Sequence, residues 1–278
     1  MPLGQAGRKL KDSLTGTIRG TGDVVGTTIE TTKDVTVGAL REASDAVKEA
    51  SGLTGDAILG AVQAANEVGT GVGQVVKGAV IGVVRGVGEV TTVTAGTLSD
   101  TIRAAIKGGS EVGGDIGSVT RNAAAGVLTT TRDIGLGIQD TAFSVARGAI
   151  LGANDVGRDL GSTAKAAIQG TIRGADEIGE DTLRTVRNTA RGLVQGTAEV
   201  GGDVGAVTRG AVEGAIDAAG SIGLKAEDAA SAAATGAMRG AQEVGESAVE
   251  AVTGILETTV QGVKVVAETP FRKEKGGA

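Results

Sequence analysis

Ten acidic residues lie on a 22-residue grid: Asp23, Asp45, Glu67, Glu89, Glu111, Asp133, Asp155, Glu177, Glu199 and Glu243. A row of carboxylates is the raw material for binding calcium or nucleating a mineral. On one continuous helix these acids would recur about 33 Å apart, so a single chain could not chelate with them and only neighbouring chains could bring them together. The plainer reading is a solvated helix face of mixed charge. Basic residues form a second series, Lys33, Lys77, Arg121, Lys165 and Arg209, with Arg187 off the rhythm. They could contact phosphates, but i,i+4 pairing and solubility account for them as well. GTGVG (69–73) lacks the GxGxxG spacing, a preceding strand and a GK[ST] motif. The chain has no His and no Cys, which removes Ser-His and Cys-His catalysis and the usual zinc sites. The expectation is a non-enzyme with no catalytic, cofactor-binding or metal-binding residue and no cofactor.

Composition narrows the class further. The 278 residues include 49 Gly and only 1% aromatic side chains, yet 40% are apolar. That is too apolar for a solvated disordered chain, and any core must be built from Val, Ile, Ala and Thr. A net charge of −6 and the missing base-stacking aromatics argue against nucleic acid as a partner. MPLGQAGRKLKDSL has no apolar h-region. Lys77, Arg85 and Glu89 interrupt the most apolar stretch, 75–90, so it falls short of a transmembrane helix. A cytoplasmic location is expected by default, with export by another route left open.

The residues sit in a repeat. Cut every 22 residues from Gly16, the chain gives eleven units over 16–257 with no insertion or deletion. A basic segment (1–15; Arg8, Lys9, Lys11) precedes them. A degenerate repeat with a basic tail (258–278; Arg272, Lys273, Lys275) follows. Basic ends on an acidic chain could guide end contacts or touch an anionic membrane. Twenty-two is twice eleven, and eleven residues make about three helical turns. On that helix, positions 2, 3, 6, 9, 10, 13, 16, 17, 20 and 21 share one arc, and no unit has a charge there. Position 3 is large and apolar throughout, from Ile18 to Met238. A strand would put charged and apolar columns on one face. The fold class expected is therefore all-α: a long amphipathic helix or helices built from 22-residue (11/3) repeats, packed laterally.

Glycines line both edges of the apolar arc. On one edge, position 1 supplies Gly16, Gly38, Gly60, Gly82, Gly126, Gly148, Gly170, Gly192, Gly214 and Gly236. On the other lie the pairs Gly69 and Gly73, Gly113 and Gly117, Gly157 and Gly161, Gly201 and Gly205. GxxxG spacing lets helix backbones approach closely, so all eighteen are read as helix–helix contacts. Glycine in a helix costs about 0.5–1 kcal/mol relative to Ala, and only close packing offsets a penalty repeated so often. The neighbour could belong to the same chain or to another copy. Position 14 glycines and position 18 basic residues each step by 44, so the finer unit is a pair of 22s.

The unbroken phase favours one helix of about 360 Å. The rival is a stack of helical hairpins turning near GGD (114–115, 202–203) or GRD (157–159), with Gly as C-cap and Asp as N-cap. Eleven-residue periodicity over 16–257 resembles late-embryogenesis-abundant proteins and the amphipathic helices of perilipins, synucleins and apolipoproteins. The GxxxG spacing is similar to that of glycine-zipper repeat proteins. The first group implies desiccation protection or a coat on lipid, but its members are much poorer in Gly. The leading expectation is a structural protein that self-assembles by glycine-zipper packing into a filament, tube or sheet, its partners being copies of itself. The alternatives are an amphipathic coat on a membrane, lipid droplet or storage granule, with a lipid surface as partner, and a stress protectant.

Overall fold

The structure is a computed structural model that describes residues 3–19, 22–43 and 46–265. It is all-α apart from one small ribbon. The helices are α1 (Gln5–Ile18), α2 (Val24–Glu42), α3 (Ala46–Val68), α4 (Val72–Val90), α5 (Ala95–Glu111), α6 (Ile116–Thr129), α7 (Thr131–Ile134), α8 (Ile138–Asp155), α9 (Leu160–Glu177), α10 (Thr182–Glu199), α11 (Val204–Ala219), α12 (Ala226–Val244) and α13 (Glu246–Leu256). Two-residue strands, β1 (Thr259–Val260) and β2 (Val263–Lys264), form an antiparallel pair.

The single long rod is corrected: the chain breaks once per repeat. Gly113, Gly135, Gly157, Gly179, Gly201 and Gly223 all have φ between +63° and +74°. This left-handed conformation ends a helix, and glycine adopts it without the strain that a Cβ brings. The amide of the residue after the glycine then reaches back five residues, as in Gly114→Gly109 (2.8 Å), Arg158→Ala153 (2.9 Å) and Glu180→Ala175 (2.9 Å). At four of these six breaks an aspartate two residues past the glycine restarts the chain, whereas Gly137 and Lys225 stand there after Gly135 and Gly223. Asp115, Asp159, Asp181 and Asp203 each accept from a backbone N–H of the next helix, for example Ser162 N at 2.7 Å and Ala206 N at 3.0 Å. Gly-x-Asp thus works as stop and start, and the hairpin alternative holds.

The helices form two layers. One contains α1, α3, α5, α8, α10 and α12, the other α2, α4, α6, α9, α11 and α13, each packed on the next member of its own layer. The 44-residue rhythm is this alternation: Gly73, Gly117, Gly161 and Gly205 all fall in the second layer. Position 3 lies between the layers, where Ile106, Leu128, Ile150 and Ile172 are fully buried. Several buried threonines satisfy their hydroxyls on a carbonyl three or four residues back, as Thr197 does on Leu193 (2.7 Å), whereas those of Thr32, Thr120 and Thr141 have no partner.

The ends are closed differently. The N-terminal segment is not separate, because α1 packs on α3, and Asp56 of α3 accepts from Gly4 N and Gly7 N at 2.6 Å. At the other end α13 lies on α11, while β1 and β2 lie against α11 and α12 with Val260 and Val265 buried. Arg272, Lys273 and Lys275 of the basic tail, like Asp45, lie outside the described residues.

Candidate functional site: glycine seams and ion-pair ladders

Position-1 glycines meet a backbone, and the backbone is the chain's own. A Cβ on Gly148 would lie 2.5 Å from Ser99 O, on Gly192 2.6 Å from Phe143 O, and on Gly214 2.5 Å from Lys165 O. Gly126 faces Lys77 O at 3.0 Å and Gly82 faces Ile29 O at 2.6 Å. Gly60, Gly170 and Gly236 face the carbonyls of Gly7, Arg121 and Arg187. One turn on, Gly152 meets Arg103 and Gly196 meets Arg147. Both partners advance by four residues together, so helices within a layer run parallel. Each seam joins a helix to the preceding member of its own layer. A real Cβ essentially never comes within 3.0 Å of another heavy atom, so these positions accept glycine and resist any larger residue.

Gly16 and Gly38 differ, with nothing within 4 Å of the added Cβ. They belong to α1 and α2, which have no helix two before them. Gly38→Ala should therefore stabilise the chain by about 0.5–1 kcal/mol through helix propensity alone. Urea unfolding curves of the dilute, unassociated chain would show the midpoint rise, and a fall would mean that another part of the same chain covers Gly38.

The second glycine edge is corrected. Gly69, Gly113, Gly157 and Gly201 are turn residues at positive φ with open space around them. Of their partners, Gly161 faces Ala206 O (3.0 Å), Gly73 faces the side chains of Ser118 and Asn122 (both 2.7 Å), and Gly205 lies 3.8 Å from Ala251 O. Gly117 meets only its own Asp115. The sequence pattern could not separate these roles, because Gly at position 10 fits a helix edge and a C-terminal cap equally well.

The charged columns pair across the seams rather than along a helix. In the first layer Arg103 clamps Asp155, Arg147 clamps Glu199 (Nε–Oε1 2.8 Å) and Arg191 clamps Glu243 (Nε–Oε2 2.9 Å), all 52 residues apart. In the second layer Arg41 pairs with Glu89 (3.3 Å), Arg85 with Asp133 (2.8 Å) and Lys165 with Asp217 (2.7 Å). Lys11 meets Glu67 at 2.8 Å. Lys77 reaches Glu177 at 2.8 Å, so seven of the grid acids hold a cation from another helix. Among the described residues no group of three or more His, Cys, Asp or Glu could hold a metal ion. The pairs are largely exposed, so each adds little to stability; what they fix is the register along a seam.

Hydrogen bonding from Arg103 holds the Asp155 carboxyl below its usual range against the opposing effect of burial. Hydrogen bonds from Ser162 do the same for the Asp159 cap. A lowered folded-state pKa adds stability that is complete above the unfolded value and is lost as pH falls through the folded one. Unfolding free energy should therefore decline below about pH 4. Asp155→Asn should flatten part of that decline. An unchanged slope in acid titrations of the variant would remove Asp155 from the account.

No protein-family model and no curated protein matches the chain. One solved structure, the crystal structure of the de novo designed helical repeat protein DHR7, is similar over 59% of this chain and 95% of its own, with 21% identity and a TM-score of 0.39. At that TM-score the likeness carries no argument about function. No particular relative is identified. Among the described residues no helix is long and apolar enough to cross a membrane. Val244 is the one exposed large apolar side chain there.

Proposed function

We propose that the chain is a non-enzymatic structural protein, a block of parallel helices ordered by glycine seams, which self-associates where a seam is left open. The observation that carries this is the contrast along position 1. From Gly60 onward the glycines above meet the backbone of the preceding helix in their layer, whereas Gly16 and Gly38 meet nothing. A second copy could bring a backbone to that edge. The opposite edge already carries α13 and the ribbon. The contact that needs no further surface is therefore a two-fold pairing of N-terminal edges, from which a larger filament, tube or sheet would have to grow.

Sedimentation velocity and negative-stain microscopy of the pure protein without lipid test the reading. Association that Gly16→Leu and Gly38→Leu abolish, with helix content unchanged, is the expected result. A monomer at all concentrations would refute it. The lipid coat finds less support, because the apolar arcs face one another inside the chain and would have to open first. Helicity gained only on adding vesicles would favour it. An unfolded chain in dilute buffer would favour the stress protectant.

A further inference from the structure

In one groove the guanidinium groups outnumber the carboxylates three to one. A groove of about 310 Å³ between α10 and α12 is lined by Arg187, Asn188, Arg191, Arg239, Gln242 and Glu243. It holds three guanidinium groups and one carboxylate. Both oxygens of that carboxylate are occupied: Arg191 donates from Nε (2.9 Å) and Nη2 (2.9 Å), and Gln195 donates as well. Arg191 is further held over the Phe143 ring, 5.4 Å from its centroid. Arg187 has its Nε buried without a hydrogen-bond partner, and neither it nor Arg239 forms an ion pair among the described residues. Arg187 is also the basic residue off the sequence rhythm. The equivalent positions on the other helices of its layer are Lys11, Gly55, Ser99, Phe143 and Ser231, so only α1 also carries a cation there.

We infer that this groove binds a phosphate group, through Arg187 and Arg239, with Arg191 fixed beside them. The seam enforces the arrangement. Gly236 packs on the Arg187 backbone, and a Cβ on Gly240 would lie 2.8 Å from Arg191 O. α10 and α12 are thus closest where the arginines emerge, which confines like charges to one small groove. A tetrahedral oxyanion relieves that repulsion, gives the buried Nε–H an acceptor and suits the forked donors of guanidinium. The phosphate could be free, on a small phosphomonoester, or the headgroup of an anionic lipid. This site stands apart from the self-association reading and does not depend on it.

The test titrates the full-length protein with inorganic phosphate by calorimetry, and separately measures its co-sedimentation with phosphatidic acid vesicles against phosphatidylcholine vesicles. Saturable binding to phosphate, or selective binding to the phosphatidic acid vesicles, is expected. Binding to phosphate points to the free ion or a small ester, and binding to vesicles alone points to a headgroup. Arg187→Gln and Arg239→Gln should each weaken it about tenfold or more, while Arg85→Gln, whose partner is Asp133, should leave it unchanged. Arg239 is exposed, so its variant carries the test even if Arg187→Gln fails to fold. No saturable binding to either probe, or equal binding by Arg239→Gln, overturns the proposal.

Discussion

Gly192→Ala should lower the unfolding free energy by about 2–3 kcal/mol. The added Cβ would sit 2.6 Å from Phe143 O, 3.1 Å from Phe143 Cα and 3.0 Å from Ala146 Cβ. Two of these are backbone atoms of α8, so no side-chain rotation relieves them and α10 must move away. Helix propensity acts in the opposite direction and favours Ala by about 1 kcal/mol. The sign of the change therefore decides which effect governs the column. Gly38→Ala, chemically the same substitution with nothing in front of it, should move the other way. Urea denaturation of both variants checks the pair, and a stabilised Gly192→Ala would mean that the seam is looser than the geometry implies.

Leu193→Ala, one residue along on the same helix, should cost about 3–4 kcal/mol. Leu193 is fully buried and belongs to the continuous core. In a core built so heavily from Ala, Val and Gly, the neighbouring side chains are too short to swing into the space left behind, so the cavity term stays large. Leu183, near the start of the same helix, is only partly buried, and Leu183→Ala should cost clearly less. Equal losses at the two sites would show that burial between the layers is not what sets the cost.

The periodicity was legible in the sequence, and so were the arc that faces inward and the large residue at position 3. The 44-residue rhythm at Gly73, Gly117, Gly161 and Gly205 was legible as a pairing of repeats, although not as two layers. The turns were ambiguous for a physical reason. Gly157 and Asp159 keep the helical phase that a continuous helix would have, so the pattern continues through a reversal without a slip. A Schellman turn and an Asx cap need only three residues, and those residues also fit an amphipathic helix edge. The ladder from Arg147 to Glu199 was not legible at all, because a 52-residue separation has meaning only once the chain has reversed twice. Whether a seam lies within one chain or between chains is likewise invisible to a pattern that is the same in every repeat.

The distance between residues 147 and 199 tests the account most directly. The chain has no native Cys, so Arg147→Cys with Glu199→Cys can be spin-labelled cleanly. Measurement in a large excess of unlabelled protein reports only distances within a chain. The native side chains here are in hydrogen-bond contact, so the two-layer array predicts a label separation of about 20 Å or less. Fifty-two residues of continuous helix would put them about 78 Å apart. A separation near that value, or a short distance that vanishes on dilution with unlabelled chains, would contradict seams formed within one molecule.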